Sequence, residues 1–128
     1  MIDDKTHPCS ILLIDDEPFA QDFIEHCLDS CVDVQLRYSS RAEQVVALAL
    51  EFNATVVLVD LRMPVVDGFD VIRMLRQHRD TEHLPVILLS SEEDADIKAK
   101  AFACGANDYL VKWPDGRCLL YTSPSPRD

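Results

Sequence analysis

The chain reads as an α/β protein, a doubly wound parallel sheet of five strands. Two observations predict it. Short, nearly continuous apolar runs at 11–14, 55–59 and 86–89 are the pattern of strands covered on both faces. Between them stand stretches whose apolar residues recur at helical spacing, and strand–helix alternation makes an open parallel sheet. A length of 128 residues fits one domain with a real core.

The elements follow in order. After a polar leader, residues 1–9, Ile11-Leu12-Leu13-Ile14 forms the first strand and stops at Asp15-Asp16. Pro18 suits a first helical turn, where its missing N–H costs nothing. Phe19, Phe23, Ile24, Cys27, Leu28 and Cys31 then make an apolar helix stripe. Residues 34–38 alternate weakly as a second strand, and Ser40 is expected to cap a helix carrying Ala42, Val45, Val46, Ala49 and Leu50. The third strand, 55–59, is stopped by Asp60. Asp67-Gly68 opens a helix with Phe69, Ile72 and Leu75 inward. The fourth strand, 86–89, ends in Ser90-Ser91. A helix over about 95–104 closes on Gly105, a residue suited to a left-handed cap. Residues 108–111 form a fifth strand ending in Lys112.

Composition narrows the function. With 23 acidic against 12 basic side chains the formal charge is −11, and the pI is near 4.6. Direct binding to nucleic acid or an anionic membrane needs clustered Lys and Arg, so both are disfavoured. No apolar run approaches the roughly 20 residues of a membrane helix and the start is no signal peptide, so a cytoplasmic protein is expected. The five cysteines have no framework spacing. Cys27 and Cys31 could share a helix face as metal ligands, but no His or Cys pair completes a zinc set, and buried free thiols are the better reading.

Charge placement says more. In open α/β sheets ligands sit outside the carboxyl ends of the strands, where strand order reverses. Asp15 and Asp16, Asp60, Ser90 and Lys112 all stand at such ends, so these distant residues should converge. Three gathered carboxylates repel unless a cation sits among them, and hard oxygens without soft ligands suit Mg²⁺. A nearby ammonium and hydroxyl suit a phosphoryl group on one carboxylate. There is no GxxxxGK loop for a nucleotide, and Arg62 rather than a second Asp stands two residues after Asp60, against a DxD phosphatase. Phosphoryl transfer to an Asp carboxylate remains.

On these residues the chain resembles the receiver domain of two-component response regulators, from about residue 10 to 115. Asp15 and Asp16 lie 45 and 44 residues before Asp60, Ser90 lies 30 after it, and Lys112 lies 22 after Ser90. The segment D-L-R-M-P-V-V-D-G resembles the family's phosphoacceptor loop, and C-G-A-N-D-Y-L-V-K its fifth-strand motif. The resemblance implies a flavodoxin-like fold with Asp60 as the phosphoacceptor for a sensor histidine kinase or phosphotransfer protein. It implies Mg²⁺ held by Asp16, Asp60 and the Arg62 backbone carbonyl, with Asp15 acting through water. Lys112 would pair with the phosphoryl oxygens, Ser90 would move toward them, and Tyr109 would turn inward behind it. The switched face, helix four and strand five, would control an output domain or a downstream protein, and a dimer could form through it. No external metabolite would be turned over. The rival reading is a receiver-like module that binds partners without phosphorylation.

Two positions depart from the family pattern. Arg62 can overhang the phosphoryl site, and it is expected to hinder attacking water or to pair with Glu92, so setting the phosphoryl lifetime. Trp113 separates Lys112 from Pro114, where the family usually joins Lys to Pro; this resembles receivers fused to diguanylate cyclase outputs. A fifth helix is expected after Pro114. The string CLLYTSPSPRD stands there instead, and Pro124 and Pro126 forbid a regular helix. It resembles the translation of a sequencing-library adapter. The expected organisation is therefore a receiver over 10–117, truncated in its last helix, and a non-native tail over 118–128. One flank of the sheet would then stay uncovered.

Overall fold

A computed structural model describes residues 9–29 and 33–112. The first strand, β1 (Cys9–Ile14), leads through α1 (Pro18–Cys27) to β2 (Val34–Ser39). A single 3₁₀ turn (Ala42–Gln44) precedes α2 (Val45–Phe52), then come β3 (Val56–Asp60) and α3 (Gly68–Gln77). The described chain closes with β4 (Val86–Ser90), α4 (Ala95–Cys104) and β5 (Asp108–Val111). All pairings are parallel, in the order β2-β1-β3-β4-β5.

The apolar runs are explained by two cores. Successive strand side chains point to opposite faces. Leu12, Ile14, Val57, Val59, Val86 and Leu88 face one core, with α2 to α4, while Ile11, Leu13, Leu58, Leu89 and Leu110 face the other, with Ala20 and Ile24 of α1. The doubly wound α/β sheet is as expected. Among the described residues no helix is long and apolar enough to cross a membrane.

Four local expectations change. Phe19 is 60 % exposed, because the inward stripe of α1 runs through Ala20 and Ile24; Phe19 leans on Phe23 instead, ring centroids 6.3 Å apart. Ser40 does not cap the next helix. The Ser39 hydroxyl accepts from the Arg41 amide, and the chain makes a 3₁₀ turn containing Ala42 before α2 begins. Leu50 is 40 % exposed, since Val45 and Ala49 fill the inward positions. Thr55 lies just outside β3, its hydroxyl accepting from the Ser10 amide.

Helices α3 and α4 start at side-chain caps, and α4 also ends on a cap of the expected type. Asp67 accepts from the Asp70 amide while Asp70 accepts from the Asp67 amide, a reciprocal capping box. Asp94 caps α4, which ends on Gly105 at φ +117°. The Cys27 side chain, Cys31, the Trp113–Pro114 step, the expected fifth helix and the 118–128 tail lie outside the described residues.

Candidate functional site

Strand order reverses between β1 and β3, and the carboxyl ends of those strands carry Asp15-Asp16 and Asp60. The register is level here, with Ile14 beside Val59 and Asp60 beside Leu89. Asp15 is fully buried and accepts from the Glu17 amide at 2.9 Å, which fixes the turn into Pro18. Asp16 is exposed. Asp15, Asp16 and Asp60 can each turn one ligand atom to within 4.8 Å of the others.

Close approach of the loop after β3 requires Gly68. A Cβ there would lie 2.5 Å from Leu88 Cδ1 and 2.8 Å from the Asp60 carbonyl oxygen. The Gly68 amide donates to the Leu61 carbonyl, drawing the start of α3 under the strand end. Only a residue without a side chain fits that gap.

Lys112 closes the site from β5. Its amide donates to the Ser90 carbonyl, and its buried ammonium lies 3.1 Å from Asp15 Oδ2 and 3.2 Å from Asp60 Oδ1. One cation thus faces two buried anions. Burial, then the Asp15 charge, push the Asp60 pKa up to about 6, although Lys112 pulls the other way. Burial likewise leaves Asp15 raised against the Glu17 amide and Lys112. Burial would lower the Lys112 pKa, but the two carboxylates outweigh it and hold it raised. The cluster is short of positive charge, which a divalent cation among hard oxygens would supply. The donor set fits Mg²⁺.

An open cleft of about 300 Å³ lies over these groups, lined by Asp16, Asp60, Arg62, Ser90 and Lys112 among others. Ser90 is buried at the end of β4, its hydroxyl accepting from the Glu92 amide at 3.1 Å. Tyr109 is buried as well, and its hydroxyl donates to the Glu92 carbonyl. Arg62 and Glu92 form an exposed ion pair at 3.2 Å across the mouth of the cleft. Asp16, Asp60, Arg62, Ser90 and Lys112 line this cleft, Asp15 bonds to Lys112 beneath it, and Tyr109 and Glu92 are tied to it through hydrogen bonds and the Arg62 ion pair.

Two contributions had no signal in the sequence. The Glu92 backbone holds both Ser90 and Tyr109, a role independent of side-chain type. Tyr38, near the end of β2, has its pKa raised by burial and then by Asp15, Asp16 and Glu17, but a weakly alternating strand did not mark it.

Comparison with known proteins gives the family. The family model for the response regulator receiver domain matches residues 11–120. The DNA-binding dual master transcriptional regulator RpaA of Synechocystis sp. is 36 % identical over 103 residues, which are 80 % of this chain and 42 % of that protein. Transcriptional regulatory protein SrrA of Staphylococcus aureus is 31 % identical over 102 residues, 80 % of this chain and 41 % of that one. The chain thus spans about two fifths of these curated relatives. Among solved structures, a putative response regulator from Chloroflexus aurantiacus superposes with TM-score 0.78 at 27 % identity, covering 90 % of this chain and 93 % of that one. The chemotaxis response regulator CheY4 of Vibrio cholerae gives TM-score 0.78 at 24 % identity over 90 % and 95 % of the two chains, a likeness of fold.

Proposed function

This chain belongs to the response regulator receiver domains, the modules of phosphorelay signalling, and from that premise we propose that Asp60 is its phosphoacceptor. One observation carries the reading: a buried Asp60 faces Asp15, Asp16 and the Lys112 ammonium at the strand-order switch. In the reaction an Asp60 carboxylate oxygen attacks the phosphorus of a phosphohistidine on a sensor kinase or phosphotransfer protein. The P–N bond breaks, the histidine leaves with the electron pair, and an acyl phosphate forms. Attack of water on that phosphorus later returns the carboxylate and releases inorganic phosphate.

Asp16, Asp60 and the Arg62 carbonyl would hold Mg²⁺, with Asp15 acting through water. When bound, the ion supplies positive charge for the carboxylates and for the incoming phosphoryl oxygens. Lys112 pairs with one phosphoryl oxygen while remaining against Asp15. Ser90 offers its hydroxyl to another, giving up the Glu92 amide it now accepts from. Tyr109, already bonded to the Glu92 carbonyl, feels that change through the shared residue, so the α4–β5 face reports the charge on Asp60. Arg62, tied to Glu92, overhangs the cleft and slows the attack of water.

The output lies beyond the matched region. The relatives are named as transcriptional regulators, which supports a separate effector or downstream partner driven by this face. A charge of −11 argues that this domain does not itself touch nucleic acid. Treatment with a small-molecule phosphodonor and Mg²⁺ tests the assignment. Intact mass should rise by one phosphoryl group in the wild type and stay unchanged in Asp60→Asn. A gain in Asp60→Asn, or none in the wild type, overturns it and favours a phosphorylation-independent binding module.

A further inference from the structure

At the end of the sheet opposite Asp60, one side chain ties together four segments. Arg76 is the penultimate residue of α3, and its guanidinium makes five hydrogen bonds to neutral oxygens. Nε and Nη2 donate to the Gly105 carbonyl at 3.0 and 2.8 Å, and Nη2 also to Asn107 Oδ1 at 2.8 Å. Nη1 donates to the Glu82 and Leu84 carbonyls at 2.9 and 2.7 Å. Asn107 passes the connection on, its side chain accepting from the Val86 amide and its amide donating to the Val86 carbonyl.

Gly105 is fitted to the same side chain. It is the left-handed cap of α4, and a Cβ there would stand 2.9 Å from Arg76 Cγ. The C-terminal end of α4 is therefore fixed to α3, to the loop before β4 and to the start of β5. A planar fork filling this many acceptor sites ties the segments it joins firmly, since bonds from a charged donor are the stronger kind.

The other end of α4 is held differently. Residues 91–96 are all exposed, and the Asp94 cap bonds only to amides of its own first turn, Asp96 and Ile97. The inward face of the helix offers fully buried Ala101 and half-buried Ile97, a small apolar area. Just before this end, Glu92 bonds to Ser90, Tyr109 and Arg62 at the cleft, and these are the contacts that loading of Asp60 would change.

We propose that Arg76 and Gly105 form a fixed pivot, about which the N-terminal half of α4 swings when Asp60 is loaded while residues 105–107 stay in place. This rests on the Asp60 reading above for the trigger, though not for the latch. Arg76 is a positioning residue here, because it touches neither the cleft nor a reacting atom.

Hydrogen exchange on the whole chain tests it, with and without Mg²⁺ and beryllofluoride, an acyl-phosphate mimic. In the wild type, loading should change exchange of amides 92–99 by roughly tenfold and leave 105–107 within about twofold. Arg76→Lys keeps the charge and loses the fork. Even unloaded, it should speed exchange at 105–107 by roughly tenfold, with the loading effect then spreading along all of α4. A loading response uniform along wild-type α4, or unaltered protection of 105–107 in Arg76→Lys, overturns the proposal. Should Arg76→Lys not fold, the wild-type gradient decides. Failure of the wild type to load counts against the Asp60 reading, and the unloaded comparison then decides the latch.

Discussion

The Lys112 ammonium reaches back across β4 to within 3.2 Å of Asp60 Oδ1, while the same nitrogen stands 3.1 Å from Asp15 Oδ2. Breaking this arrangement at its cation leaves two buried carboxylates facing one another. Lys112→Met should destabilise the metal-free protein by about 3 kcal/mol at pH 7.5, the usual cost of uncompensated buried charge. The loss should shrink near pH 5, where the acids take up protons. Denaturant unfolding at both pH values measures it, and a pH-independent loss would contradict the electrostatic account.

Asp60 makes the opposite prediction. Its pKa is raised from 3.8 to about 6 in the folded state, chiefly by burial. The folded protein then binds its proton more tightly than the unfolded chain. Stability from this group is complete below about pH 4 and is lost as pH rises through 6, by at most about 3 kcal/mol. Asp60→Asn removes the cost, so the variant should melt several degrees above the wild type in metal-free buffer at pH 7.5, at about 4–8 °C per kcal/mol, and near the wild type at pH 4.5. Addition of Mg²⁺ should raise the melting temperature of the wild type at pH 7.5 and lose that effect below pH 6. A variant melting below the wild type at pH 7.5 refutes the sign.

Gly68→Ala tests the packing beneath the site. Its Cβ would meet Leu88 Cδ1 and the Asp60 carbonyl at distances no real contact adopts. Overpacking against backbone should cost about 2–3 kcal/mol in chemical unfolding and shift the Asp60 strand end. The yield of acyl phosphate should fall with it. A stability within about 0.5 kcal/mol of the wild type shows that the loop can give way.

Arg62→Ala separates lifetime from stability. The Arg62–Glu92 pair is exposed on both sides, and such pairs contribute about 0–1 kcal/mol. Unfolding should barely change, whereas release of phosphate from phosphorylated protein should quicken severalfold as the overhang is removed. An unchanged release rate excludes Arg62 as a lifetime determinant.

Most of the fold and its acidic edge can be read from the residues in order. Continuous apolar runs ending in acid, serine or lysine are visible one residue at a time, because a strand buried on both faces tolerates little else. Their places at the carboxyl ends of successive parallel strands then put Asp15, Asp16, Asp60, Ser90 and Lys112 at a single edge. Local caps were legible where a side chain does the capping, as at Asp67, and failed at Ser40, where neighbouring Ser39 takes the amide instead. Phe19 misled because hydrophobicity tells which residues seek a core, not which helix face the sheet accepts.

What depends on backbone and distance appears only once the chain has folded. No pattern of residue types shows that the Glu92 amide and carbonyl hold Ser90 and Tyr109, since every residue carries both groups. None shows that Arg76 serves three backbone carbonyls and an amide oxygen in place of a carboxylate, or that one ammonium is shared between two buried acids. These are contacts between segments up to 97 residues apart. Their strength comes from burial, which exists only once the sheet has closed over them.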